Sequence, residues 1–156
     1  VLLIAVDGPS GSGKTTYARS LGGVVVPTDH FATWDDPVAW WPRLVEGVLE
    51  PLWRDEPARY QRVEWVGGEP KPGEWITFEP PEVLVLEGVS SARRAIADRL
   101  DLAVWVEVPS ESERLERAVA RDGEDCRIHL RRWQDFERGW FAVDGTKARA
   151  DRVILR

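Results

Sequence analysis

Apolar positions along this chain fall into short runs separated by stretches of helical spacing, and that alternation predicts a parallel α/β sheet. The opening run "VLLIAV" reads as a buried strand, "GGVVVP" as a second that Pro27 ends, and "EVLVLEG" and "LAVWVEVP" as two more. "RVILR" is the last. Lys14 to Leu21 predicts a helix, and "SSARRAIADRLD" has its Ala, Ile and Leu at amphipathic helical spacing. A further helix is expected over Val38 to Trp53, where Val38, Trp41, Leu44, Val45, Val48, Leu49 and Leu52 recur at helical intervals. Pro37 stands where a first-turn proline is tolerated. The segment "YQRVEWVGGEPKPGEWITF" reads as two short strands around a Gly/Pro-rich turn, inserted beside the sheet.

A chain of 156 residues, 43% hydrophobic, suits one domain with its own core. The expected organisation is a single domain with two appendages, residues 28–79 and 111–140. Net charge is −6, and the densest basic stretch, "ESERLERAVARDGEDCRIHLRR", interleaves Arg with Glu and Asp. That argues against a nucleic-acid surface. The single cysteine, Cys126, excludes an intrachain disulfide, and the opening apolar run is too short to span a bilayer. A cytoplasmic location without membrane partners is the expectation. Nine tryptophans are unusual, and six of them, Trp34, Trp40, Trp41, Trp53, Trp65 and Trp75, belong to the first appendage. They suit either the packing of a small subdomain or the wall of an aromatic or sugar-like substrate site.

The stretch "DGPSGSGKTT" changes the picture, because Gly8 to Thr15 fits G-x-x-x-x-G-K-[ST] between a strand and a helix. Backbone N–H groups of Gly11, Ser12, Gly13 and Lys14 would converge on an anion at the positive end of the helix, with Ser10 alongside. Lys14 would reach the β- and γ-phosphates of a nucleotide, and Thr15 would offer its hydroxyl to Mg²⁺. Thr16 suits the α-phosphate or simple packing. A plain glycine turn would not require Lys and Thr at this offset.

Further cues follow in order. "TDHFAT" supplies Asp29 and Phe31 of an Asp-x-Phe-Tyr motif, with Ala32 in place of Tyr. "WDDP" is similar to Phe-Asp-His-Pro, "VEW" to Tyr-Asp-Phe, and "LEGV" carries Glu87 and Gly88. "ERLERAVARD" resembles an arginine-rich helix leading into a lid, and "ARADRVIL" a closing Ala-Asp plus strand. On these residues the chain resembles the uridine kinase-like branch of the P-loop nucleoside and nucleotide kinases over nearly its whole length. The resemblance implies an α/β, three-layer P-loop NTPase fold with a five-stranded parallel sheet, a lid and a small substrate-binding insertion. It implies ATP and Mg²⁺ as cofactors, and transfer of the γ-phosphoryl group to a hydroxyl of a nucleoside-like small molecule.

Carboxyl ends of parallel strands face the ligand crevice, so Asp7, Asp29 and Glu87 should gather near the phosphates, although an acidic residue at Asp7 equally suits a cap on the glycine-rich turn. Asp29 suits a base or hydroxyl-orienting group and equally a turn aspartate; the resemblance favours the former. Glu87 suits Mg²⁺, directly or through water, or a share in the base role. Arg117 and Arg121 are candidates to clamp the transferring phosphoryl group, although Glu113 and Arg117 also suit simple i, i+4 pairing. Substrate contacts are expected from Asp29, Phe31, Trp34, Tyr60, Arg62, Glu64 and Trp65. Other acceptors compatible with these residues are a nucleoside monophosphate, an antibiotic or another alcohol. A non-catalytic nucleotide-binding module is the reading from a different class. Oligomeric state and the choice between ATP and GTP are open.

Overall fold

Leu2–Asp7 forms β1, and every residue of it after Leu2 is buried, as expected of a strand covered on both faces. The computed structural model describes all residues, Val1 to Arg156. On one side β1 pairs in parallel with β5 (Val83–Glu87), which in turn pairs with β2 (Val24–Pro27). On the other side it pairs with β6 (Leu102–Glu107), and β6 pairs with β7 (Arg152–Leu155). The sheet order is therefore β2-β5-β1-β6-β7, five strands and all parallel. Alternate residues of β1 serve opposite layers. Leu3 and Ala5 join a core with Val26, Leu84 and Leu86, whereas Ile4 and Val6 join Ala18, Val85 and Val106.

Register aligns the carboxyl ends: Val6 and Pro27 both lie opposite Glu87, and Asp7 lies opposite Trp105. Strand order reverses about β1, so the crevice opens just beyond Asp7. The turn that follows is packed against other backbone. A side chain at Gly8 (φ 140°) would place Cβ 2.1 Å from the Val106 carbonyl oxygen, and at Gly11 (φ 77°) 2.5 Å from that of Arg114. Helix α1 (Lys14–Ser20) leaves this turn.

The helix expected from Val38 starts later. Asp36 N–H bonds Thr33 Oγ1, Ala39 N–H bonds Asp36 Oδ1, and Trp40 Nε1 bonds the Pro37 carbonyl. These local side-chain bonds hold a turn where helix was predicted. Helical structure then runs through α2 (Trp41–Leu44), a π-helical stretch (Val45–Leu49) and α3 (Glu50–Trp53). Its Leu44, Val48, Leu49 and Leu52 are all buried in the larger core.

The hairpin strands are longer than expected, β3 spanning Ala58–Val66 and β4 Glu69–Phe78. Gly67 and Gly68 alone make the turn, both at positive φ, as a tight hairpin turn requires. Pro70 and Pro72 fall inside β4, which a two-stranded ribbon tolerates because one edge of each strand is unpaired. The predicted helix between β5 and β6 is reduced to a 3₁₀ segment, Arg94–Arg99. Just upstream, the Ser90 and Ala92 amides donate to the Asp7 carboxylate.

Helix α4 (Glu111–Asp122) is capped by Ser110 Oγ, which accepts from the Glu113 amide. A short 3₁₀ turn (Glu124–Cys126) leads into α5 (Arg127–Asp144), and α6 (Thr146–Arg149) precedes β7. No helix is long and apolar enough to cross a membrane.

Replacing Gly8 with Ala should cost about 3 kcal/mol, combining an unfavourable φ with backbone overlap. Thermal unfolding should shift down by roughly 6–12 °C. An unchanged midpoint would contradict this packing of the turn against β6.

Candidate active site

The glycine-rich turn, the end of β5 and the segment after β2 enclose a cavity of about 220 Å³, and Arg121 of α4 completes its wall. Of the predicted residues, Ser10, Gly11, Ser12, Gly13, Lys14, Thr15, Asp29, Glu87 and Arg121 all line it. Lys14 is buried, and its Nζ donates to the Pro9 carbonyl at 2.8 Å. Ser12 Oγ accepts from the Val108 amide at 3.2 Å, which ties the turn to the end of β6. Gly8 stands behind the turn, and Thr16 is exposed on α1; neither lines the cavity.

Thr15 Oγ1 donates to Glu87 Oε1 at 3.2 Å. Burial pushes the Glu87 carboxyl above its usual range, while Lys14 opposes the shift and Asp29 adds to it. Two hard oxygen ligands at the edge of a phosphate-sized cavity fit Mg²⁺, which takes one or two protein ligands and completes its shell with water and phosphates. A cation there would also relieve the unfavourable burial of Glu87.

Asp7 does not join this group and instead holds the turn, the alternative role its position allowed. It is fully buried and accepts from the amides of Gly8 (2.7 Å), Ser90 (3.1 Å) and Ala92 (3.0 Å). Burial pushes it up to about 6 despite those donors. Its carboxylate is spent on holding the turn and the loop after β5 together.

A second cavity of about 470 Å³ adjoins the first, and Ser10, Asp29, Arg121 and Trp133 line both. Three tryptophans, Trp34, Trp65 and Trp133, stand in the wall of this aromatic cavity, with Asp122 and Asp125 beside them. Trp34 lies parallel to the His129 ring at 4.9 Å and meets Trp65 and Trp133 edge-on. Trp34 Nε1 bonds the Gly68 carbonyl at 2.9 Å, and Trp65 Nε1 bonds the Asp29 carbonyl at 3.4 Å. The hairpin tip is thereby fastened to the segment that carries Asp29. Arg121 makes two 2.8 Å bonds to Asp122, and both Asp29 and Glu87 attract it.

Several expected residues stand elsewhere. Arg117 points away and pairs with Glu113 at 3.0 Å on the exposed face of α4, the alternative its spacing allowed. Phe31 is 1% exposed, stacked between Trp40 and Tyr60 in the core. Tyr60 and Arg62 face a third cavity. Glu64 turns along the hairpin and accepts from the Glu74 amide at 3.4 Å. A bulge between Gln61 and Val63 shifts the register, so alternation across β3 does not carry through this stretch.

Sequence reasoning missed the contribution of α5 and of the 3₁₀ turn that leads into it. Cys126, Leu130 and Trp133 line the aromatic cavity, and Glu137, 2% exposed, accepts from the Ser10 amide at 3.1 Å and from its hydroxyl. Burial pushes the Glu137 carboxyl up, with Lys14 opposing. The spacing of Leu130, Trp133 and Glu137 marks one helix face, and an acidic residue ending an apolar stripe was the available signal.

No protein-family model matches the chain, and no curated protein matches it. Among solved structures it superposes on a possible uridine kinase from Bacillus stearothermophilus with a TM-score of 0.64 and 17% identity, over 98% of this chain and 88% of that one. It also superposes on TT1252 from Thermus thermophilus with a TM-score of 0.50 and 20% identity, over 99% and 88%. The chain shares the fold of these structures, a five-stranded parallel sheet with helices packed on it. Within that fold, the pairing of the glycine-rich turn with an adjoining aromatic cavity is built by residues of this chain from the turn after β1, the segment after β2, the hairpin tip, α4 and α5.

His30, beside Asp29, has its Nδ1 2.7 Å from Tyr60 Oη. Burial and then Arg62 hold its pKa down at about 4, below the ordinary 6.5, and burial pushes the Tyr60 hydroxyl up to about 12. The ring is neutral near pH 7 and shares a hydrogen bond with the tyrosine hydroxyl. Because the folded pKa lies below the unfolded one, this contribution to stability is complete above pH 6.5. It is lost as pH falls from 6.5 through 4, since the unfolded chain takes up the proton first. An NMR titration of the His30 ring should give a midpoint near 4; a midpoint near 6.5 would contradict the burial of this pair.

Proposed function

We propose that the protein transfers the γ-phosphoryl group of ATP to a hydroxyl of a small molecule held in the aromatic cavity. One observation carries the reading: Asp29 and Arg121 line both the phosphate cavity and the aromatic cavity, so one carboxylate and one guanidinium face both reactants.

In this mechanism the backbone N–H groups of Gly11, Ser12, Gly13 and Lys14 hold the β- and γ-phosphates at the positive end of α1. Lys14 exchanges the Pro9 carbonyl for phosphate oxygens. Thr15 and Glu87 hold Mg²⁺, which when bound neutralises phosphate charge. Trp34, Trp65 and Trp133 enclose the acceptor and orient its hydroxyl toward Asp29. Asp29 accepts the hydroxyl proton as the oxygen bonds to the γ-phosphorus. The bond to the β-phosphate oxygen breaks, and its electron pair leaves with ADP. Arg121 releases Asp122 and forks onto the transferring oxygens. Helices α4 and α5 act as the lid that excludes water. The superposition on a possible uridine kinase supports a nucleoside as acceptor, and the aromatic wall would stack a base or a sugar face.

The test is ADP release from Mg·ATP against a panel of nucleosides, nucleoside monophosphates and simple alcohols, with Asp29→Asn alongside. The expected outcome is acceptor-stimulated release that Asp29→Asn lowers by about 10²–10⁴-fold, the range for loss of a general base. Stimulated release that survives the substitution would remove Asp29 from this role. Binding of ATP without stimulation by any acceptor would favour a nucleotide-binding module.

A further inference from the structure

A third cavity, about 590 Å³, lies between the π-helical stretch and the hairpin. It shares no residue with the phosphate cavity and only Thr33 with the aromatic one. Four cationic side chains line it: Arg43 from α2, Arg59 and Arg62 from β3, and Lys71 from β4. The only acidic residue in its wall is Glu46. None of these five groups takes part in an ion pair, although acidic residues outnumber Lys and Arg in this chain by 27 to 21. By contrast Arg117, Arg121, Arg127, Arg138 and Arg149 each have a carboxylate partner.

Three of the four cations are held rather than loose. Arg43 donates to the Phe31 carbonyl at 2.7 Å, and the Arg59 guanidinium sits 4.0 Å over the Trp75 ring. Arg62 Nε reaches the Val63 carbonyl at 3.4 Å. A guanidinium fixed through one nitrogen or one face keeps its remaining N–H donors for an acceptor, and phosphate oxygens match that fork. Like charges gathered on one concave wall repel one another, and an anion between them removes that repulsion.

We infer that this cavity binds the phosphate group of a small phosphate ester, at a site separate from the glycine-rich turn. The bound phosphate is either part of the acceptor, reaching past Thr33 from the aromatic cavity, or part of a separate effector. The chemistry recognised is the same. The binding site itself does not depend on the proposed transfer reaction, and only its assignment to the acceptor rests on that reading.

The probe is labelled inorganic pyrophosphate in equilibrium dialysis with Lys14→Ala protein, which disables the glycine-rich turn. Binding should persist there and weaken at least about tenfold when Arg59→Gln and Lys71→Gln are added, two exposed positions where folding is not at risk. Rising salt should weaken it as well. No saturable binding in Lys14→Ala protein, or equal binding with and without the two added substitutions, would overturn the proposal.

Kinetics of the Arg59→Gln/Lys71→Gln protein with an intact Lys14 then separate the sources. A raised KM with preserved kcat, confined to phosphate-bearing acceptors, assigns the site to the acceptor. An unchanged KM, with pyrophosphate altering the rate of the parent protein but not of the variant, assigns it to an effector. If no acceptor is turned over at all, the transfer reading fails while the dialysis result stands by itself.

Discussion

A buried carboxylate at the end of the central strand organises the rest of this molecule. Asp7 lies where strand order reverses, and its two oxygens take amide donors from the glycine-rich turn and from the loop after β5. Burying a charge is costly unless hydrogen bonds compensate for the lost water, and three amides supply them here. The arrangement brings Glu87 and the turn to the same edge and leaves Ser90 at a positive φ of 73°. Arg93, buried in the same loop, bonds both the backbone and the side chain of Ser90 and packs its guanidinium against Trp40, Trp41 and Trp140. Through these contacts α2 and α5 depend on the same few polar groups as the phosphate turn.

The strands and the glycine-rich turn were legible in the sequence, because a continuous apolar run and a glycine pattern are local signals. Asp29 and Glu87 could be placed for a related reason: strands of a parallel sheet end at one edge, so a residue just past a strand is already located. Side-chain direction was not legible. Arg117 and Arg121 lie one helical turn apart on α4, yet only Arg121 reaches the cavity, since Glu113 holds Arg117 at the surface. On β3, Trp65 lines the aromatic cavity while Tyr60 and Arg62 line the third, and the bulge between Gln61 and Val63 interrupts the alternation from which faces are read. Glu137 is 127 residues from the Ser10 it contacts, a distance no periodicity bridges.

The tryptophans divide between a cavity wall and packing. Trp34, Trp65 and Trp133 line the aromatic cavity. Trp40, Trp41 and Trp140 surround Arg93, while Trp53 and Trp75 pack under Arg99 and Arg59. Cation–π contact lets a chain rich in arginine bury cations without a carboxylate beside each one. The same economy leaves the third cavity with its positive charge unmatched.

The central claim is that one wall, made by Asp29 and Arg121, serves both a nucleotide and an acceptor. The most direct measurement is transfer of label from [γ-³²P]ATP in a small-molecule extract, with Lys14→Ala protein as control. The account predicts that label moves onto a hydroxyl-bearing organic compound with the parent protein and stays in ATP with the variant. Label that appears only as inorganic phosphate, or that never leaves ATP, would contradict it.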